Sequence, residues 1–382
     1  MKEHPLEPQV RKALAQVVDP EIRRPITELG MVDSISITQA GVATVTVLLT
    51  VSTCPLRSTL QRDVEQAVAG VEGVTAAIVH LGVMSDEQRS ALRQVLRGGQ
   101  AEREIPFARP DSLTRVIAIA SGKGGVGKSS VTVNLAMALQ ALGKKVGVLD
   151  ADIYGHSIPD MLGIGDTRPT AVDDMIMPVP AMGLKVISVG MLKPSRDQVV
   201  AWRGPILDRA LTQLLSDVYW GDLDYLILDL PPGTGDVAIS LGQKLPNSQI
   251  LVVTTPQVAA AEVAERAGTM GAIMQQKVIG VVENMSWLET ECPHCGETHR
   301  VPLFGSGGGQ AVADTLTERL GYEVPLLAQV PIQQDLREAG DNGTPLVTSD
   351  PGTPASAALL ELARTLATQK RNLEGLRLSV AT

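Results

Sequence analysis

The sequence predicts an α/β fold: a mostly parallel sheet with helices on both faces, preceded by a small α+β domain. Three observations predict it. From Thr114 onward, short apolar runs alternate with longer segments of helical spacing. The first of those runs leads directly into a glycine-rich loop. Upstream, residues 98–112 (GGQAEREIPFARPDS) lack periodicity and are rich in Gly, Pro and charge, which reads as a linker between two domains. The chain therefore divides into a small domain over 1–97, the linker 98–112, a larger domain over 113–370 and a tail over 371–382.

In the first domain, Leu6 to Val17 has helical spacing. Val42 to Val51 alternates, with Ala43, Val45, Val47, Leu49 and Val51 on one side, and reads as a strand. Ser58 to Ala69 reads as a helix and Ala76 to Leu81 as a strand. Ser85 to Leu96 opens with an N-cap serine and an acidic first turn. In the second domain the expected strands are Val116–Ala120, Lys145–Leu149, Leu184–Val189, Tyr225–Leu230, Gln249–Thr254 and Lys277–Val282. The expected helices are Val131–Leu142, Val258–Ile273 and Ala355–Ala367.

Composition agrees with this class. Of the 382 residues 44% are hydrophobic but only 2% aromatic, so the core must be aliphatic, as in buried parallel strands. The formal net charge of −9 disfavours a broad nucleic-acid face. Neither a membrane-spanning run nor an apolar signal core after Met1 is visible, so the expected location is the cytoplasm, without membrane insertion.

Gly122-Lys123-Gly124-Gly125-Val126-Gly127-Lys128-Ser129 fits the phosphate-binding pattern G-x-x-x-x-G-K-[ST], with Ser130 following. Glycines let consecutive backbone N–H groups turn toward phosphate oxygens, and the following helix adds its N-terminal dipole. Lys128 would reach the β and γ phosphates, and the Ser129 hydroxyl would ligate Mg²⁺. An apolar strand before the loop and an amphipathic helix after it supply the context that the motif needs. The chain is therefore expected to be a P-loop NTPase. Its base site lacks the N-K-x-D pattern of GTP binders, so ATP is the expected nucleotide.

Asp150 and Asp152 follow one apolar run and Asp229 closes another. Carboxylates at the carboxyl ends of parallel strands face the ligand crevice. By position, Asp229 is the expected Mg²⁺-supporting carboxylate, with Asp150 assisting. Asn284, just past the strand Lys277–Val282, has an amide suited to an adenine edge; an ordinary turn residue is the alternative. Cys292-Pro293-His294-Cys295-Gly296 is a compact turn that aims two thiols at one point. Two thiolates do not complete a tetrahedral ion site or a four-cysteine cluster site, and a two-fold dimer would supply the second pair.

The stretch SGKGGVGKSS resembles the deviant Walker A loop of the MinD/ParA and nitrogenase-reductase class. That resemblance implies an ATP-sandwich homodimer in which Lys123 acts across the interface, with Asp152 orienting water and Asp236 in a switch loop. The wider set of motifs (LDADIYGHSIP, DLPPGTGD, TTPQ, VVENMS, CPHCG, FGSGGG, AGDNGTPL) resembles the Mrp/ApbC-type iron–sulfur cluster carrier ATPases over residues 110–370. It implies a labile cluster, usually [4Fe-4S], on Cys292 and Cys295 between two subunits. Delivery would be to apo-proteins, with a cluster-assembly scaffold as a further partner. DPEIRRPITELGMV and TVSTCPLRSTL resemble a PaaD-like domain linked to cluster assembly, which carries a cysteine at the position of Cys54. That thiol reads either as reactive or as buried and inert. Two other functions compete. One is a MinD/ParA-like spatial-organising ATPase, which leaves the cysteine pair without a role. The other is a nucleotide switch in which Cys292, Cys295 and His299 hold a structural zinc ion.

Overall fold

The computed structural model describes residues 4–369 except 21, 51–56, 86, 89–90, 93–94, 96–103, 153–154, 174, 194–204, 234–235, 258–265, 267–268 and 270–275. Cys54, most of the expected helix 258–273 and the tail 371–382 lie outside the described residues. The chain forms two compact units. One comprises 1–103, 169–179 and 217–221, and the other comprises the rest.

In the first unit, β1 (Val32–Ile37) pairs antiparallel with β2 (Val42–Leu49), and β2 pairs parallel with β3 (Ala76–Val83). A parallel pair needs a crossover, and the helix Arg57–Ala69 supplies it. The alternation read from the sequence is realised: Ala43, Val45, Val47 and Leu49 are buried, and they share a core with Val10, Leu14, Leu60, Val64 and Val68. The helix Glu7–Leu14 contributes the first two of these. Two segments distant in sequence join this unit. The short antiparallel strands β6 (Thr170–Val172) and β7 (Met175–Met177) bring Val172 and Met177 into the same core. Strands of three residues are too short to show a period, so nothing in the sequence pattern announced them.

The second unit is built on a nine-stranded sheet. Its order is β13-β12-β11-β4-β10-β5-β9-β8, with β14 also pairing β12. Here β4 is Arg115–Ser121, β5 Val146–Asp150, β8 Val179–Ala181, β9 Leu184–Ser188, β10 Tyr225–Asp229, β11 Gln249–Thr254, β12 Lys277–Glu291, β13 Thr298–Val301 and β14 Leu326–Ile332. The strands β4, β5, β10 and β11 are parallel to their neighbours and β9 is parallel to β5; all five are buried almost throughout, as their unbroken aliphatic runs require. The chain goes from β4 to one side of the sheet and later returns to the other. The carboxyl end of β4 thus lies where the strand order reverses, the usual ligand crevice of such sheets.

Two expectations are corrected. The helix after the glycine loop, Lys128–Ala141, is not amphipathic: Val131 to Leu139 are all buried. The helices Leu346–Ser349 and Pro354–Thr368 pack on it, so it has little solvent face left. The strand expected over Lys277–Val282 continues to Glu291, because β13 and β14 pair with its second half. Met285, at φ 57°, marks an irregularity there, and the register with β14 shifts between Asn284 and Leu288.

Candidate nucleotide site and cysteine hairpin

The glycine loop runs from the end of β4 into the helix Lys128–Ala141, with Gly125 and Gly127 at φ 80° and 79°. These are left-handed values that glycine adopts without strain. Gly127 is also crowded, since a Cβ there would overlap the amide nitrogen of Asn284. Gly127→Ala should therefore strain the loop twice. We expect a loss of ~1–3 kcal/mol in stability and at least about tenfold in nucleotide affinity, read by thermal unfolding and calorimetric titration.

Lys128 sits at the first turn with its ammonium buried. Its Nζ lies 2.7 Å from Asp229 Oδ2, yet it has no acceptor in hydrogen-bonding alignment. A buried ammonium with unused donors is what a phosphate oxygen would satisfy. Asp229 ends β10 at 0% exposure. Its Oδ2 accepts from Ser129 Oγ at 2.7 Å and its Oδ1 from Thr132 Oγ1 at 2.7 Å. Thr132 was not singled out from the sequence. It lies one helical turn beyond Ser129, so the spacing alone places both hydroxyls on one face.

Asp150 lies directly beside Asp229 on the adjacent strand β5. It accepts from Ser188 Oγ at 3.0 Å and from the Asp152 backbone N–H at 3.1 Å. Ser188 ends β9 in register with Asp150, a strand-end position that the sequence reading passed over. Burial, and then the charge of Asp229, push the Asp150 carboxyl up to about 8, against the pull of its two hydrogen bonds and of Lys128. Asp152 is nearly buried and accepts from Gly155 N–H at 3.0 Å. The loop, Lys128, Ser129, Asp150, Asp152 and Asp229 are thus brought together. Asp236 opens the helix Asp236–Lys244, and its side chain lies outside the described residues.

Lys123 turns toward its own chain and donates to Gln257 Oε1 at 2.8 Å, just past the end of β11. Asn284 is buried and donates through Nδ2 to the Val126 carbonyl at 2.9 Å, so its amide braces the phosphate loop. The preceding residue, Glu283, is a buried carboxylate that accepts from Gly309 N–H at 2.6 Å and Gln329 Nε2 at 2.8 Å. It satisfies the N-terminus of the helix Gly308–Leu320. A strand thus fastened at Glu283 and Asn284 continues to the cysteines.

Those cysteines lie at the tip of the hairpin formed by β12 and β13, where Glu291 faces Thr298 and Thr290 faces His299. Gly296 N–H donates to the Cys292 carbonyl and Cys292 N–H to the Glu297 carbonyl, each at 2.9 Å, closing the turn with Gly296 at φ 72°. Cys292 is half-buried and Cys295 exposed. Hydrogen bonds from the backbones of Cys295 and His294, then from the Cys295 side chain, hold the Cys292 thiol below its ordinary range. The hairpin stem is braced by Arg300, stacked 4.3 Å over the Trp287 ring and paired with Glu289 at 3.3 Å. Eight residue-to-residue steps lead from Asn284 to Cys292, up to about 26 Å at ~3.3 Å per step.

The profile of the NUBPL iron-transfer P-loop NTPases, within the ParA group, matches residues 112–367. The chain belongs to this family. A second profile, that of iron–sulfur cluster assembly proteins, matches residues 7–79. An iron-sulfur cluster carrier protein of Mycobacterium tuberculosis is 55% identical over 371 residues, 97% of this chain and 96% of the relative. One from Deinococcus radiodurans is 41% identical over 359 residues, 94% of each chain. Among solved structures, a nucleotide-binding protein from Archaeoglobus fulgidus, in complex with ADP and with Co found by PIXE, is 37% identical. The match covers 64% of this chain and 92% of that one, at a TM-score of 0.52.

In this NUBPL-type NTPase the raised Asp150 carboxyl has a measurable consequence. Its folded-state value, about 8, lies above the ordinary 3.8. The native state therefore holds the proton more tightly, and this contribution to stability is full below about pH 4 and is lost as pH rises toward 8. Asp150→Asn removes that loss. Between pH 5 and 8.5, without nucleotide or divalent ions, the variant should lose less stability than the parent, by the order of a few kcal/mol at the upper end. Thermal unfolding across this range reads the difference.

Proposed function

We propose that this chain is an ATP-dependent iron–sulfur cluster carrier. Two copies hold a labile [4Fe-4S] cluster through Cys292 and Cys295 of each, and the cluster is passed to apo-proteins. The observation that carries the reading is the layout of β12: one strand braces the phosphate loop through Asn284 and ends in the thiol pair. A nucleotide-driven shift of the loop therefore has a short route to the cluster ligands, across one hydrogen bond and then along one strand. The iron-transfer family and its relatives named as cluster carriers support the same reading.

ATP would lie with its phosphates on the N–H groups of Gly122 to Ser129, and its charge would satisfy the buried Lys128 ammonium. Ser129, Asp229 and Asp150 have the oxygen donors to hold Mg²⁺, which would displace the Asp150 proton and supply charge neutralisation at the phosphates. Asp152, just past the end of β5, would orient the attacking water. Asn284 would keep its Val126 partner and offer the rest of its amide to the adenine edge. In the dimer Lys123 would leave Gln257 for the partner's nucleotide, with Asp236 in the γ-phosphate-sensing loop. Lys123→Ala should keep ATP binding and lose ATP-dependent dimer formation; light scattering with and without a non-hydrolysable ATP analogue checks this. Cys54 would serve as a thiol for the assembly function of the N-terminal domain. The carrier would work in the cytoplasm. Among the described residues no helix is long and apolar enough to cross a membrane.

The test is transfer itself. Reconstituted protein, mixed anaerobically with an apo [4Fe-4S] enzyme, should restore that enzyme's activity, with a rate that changes when MgATP is added. No transfer under either condition would overturn the reading.

A further inference from the structure

The hairpin tip contains more than two thiols. The sulfur atoms of Cys292 and Cys295 and a ring nitrogen of His299 all lie within 4.8 Å of one another. We propose that His299 completes a single-chain Cys₂His site for one thiophilic divalent ion, zinc in kind, and that this ion competes with a cluster shared between two chains. The first half stands independently of the carrier reading; the second rests on it.

Tetrahedral zinc, with bonds of ~2.3 Å to sulfur and ~2.0 Å to nitrogen, sets neighbouring ligand atoms about 3.5–3.8 Å apart. Cys295 Sγ and His299 Nε2 are 3.8 Å apart, which is one edge of such a tetrahedron. The hairpin accounts for this. The turn puts Cys292 and Cys295 on one side, and the pairing of His299 with Thr290 returns the ring to the same end of the ladder. The spacing C-x₂-C-x₃-H thus closes within a single strand-turn-strand.

Two thiolates from one chain leave an ion half-coordinated. Three ligands leave one open position, the arrangement of an exchangeable rather than a sealed zinc site. Cys295 and His299 are exposed, so an ion enters without any rearrangement of the fold. Softness selects the ion: two thiolates and an imidazole favour zinc over magnesium, calcium or manganese. Binding releases the two thiol protons and involves no redox step. With both sulfurs committed to one ion in one chain, neither is available to bridge iron across a dimer. Zinc would then hold the carrier empty until it is removed.

Cobalt(II) is the probe, because its visible bands report coordination. The reduced, metal-free full-length chain, titrated anaerobically, should bind one Co²⁺ per chain with tetrahedral thiolate bands. It should keep the mass of a single protomer. His299→Ala should weaken binding beyond the roughly 10–100-fold that an outer-shell change costs and should alter the bands. Unchanged nucleotide binding in this variant certifies its fold. Equal affinity and identical bands in His299→Ala, or one Co²⁺ per two chains in the parent, would overturn the site. For the competition, one equivalent of zinc added before iron and sulfide should block cluster formation in the parent and much less in His299→Ala. A cluster that forms equally well with zinc present would overturn that half. Cobalt binding without any cluster, with or without zinc, would count against the carrier reading and leave the Cys₂His site standing.

Discussion

Cys292→Ala protein, reconstituted with iron and sulfide, should hold no stable cluster while binding ATP as tightly as the parent. The thiol lies at a hairpin tip, outside the hydrophobic core, and its neighbours are backbone groups of the same turn and the exposed side chains of Cys295 and His299. Truncating it removes no core contact and leaves no buried partner unsatisfied, so the stability cost should stay within about 0.5 kcal/mol. The cluster cost is different in kind. A dimer would offer two thiolates in place of four, and two do not retain a four-iron cluster. Visible absorption and iron analysis read the loss, and calorimetric titration reads the nucleotide. Simultaneous loss of ATP binding would mean that the hairpin and the phosphate loop form one folding unit rather than two linked sites.

Lys128→Ala should act at the phosphate loop that Asn284 of β12 braces, in two separable ways. Nucleotide affinity should fall by about 100-fold or more, the scale of losing a buried charge-assisted contact to phosphate. The nucleotide-free chain should also lose ~3–5 kcal/mol, because Asp229 remains buried without its counter-charge. Only one of the two effects can be rescued. Adding Asp229→Asn to Lys128→Ala should restore much of the stability, since no uncompensated charge remains, but none of the ATP binding. A double variant as unstable as the single one would place the cost in packing rather than in charge.

The catalytic half of this protein was legible in the sequence because its motifs are local. Gly122 to Ser129 fix a loop by backbone conformation, and the aliphatic runs ending at Asp150 and Asp229 put carboxylates at strand ends. The second layer was not legible, since it depends on register between distant segments. Ser188 meets Asp150 only because β9 lies beside β5, and Gln257 meets Lys123 only because β11 lies beside β4. Asn284 illustrates the limit best. Its residue type suggests an adenine contact; in the fold it is a brace against Gly127 and Val126, which no local pattern encodes. Beyond it, β12 runs nine residues past the expected end, because its partners β13 and β14 come later in the chain. Trp287 and Arg300, which stiffen that extension, acquire their meaning only once the hairpin is paired.

Carriage requires a cluster held by the cysteine hairpins of two chains and released under the control of nucleotide. Iron and acid-labile sulfide, measured on anaerobically purified protein together with its mass in solution, test that most directly. A cluster shared in this way gives four iron and four sulfide per two chains, lost together in Cys292→Ala. Zinc alone, with no cluster taken up on reconstitution after the zinc is stripped, would contradict it.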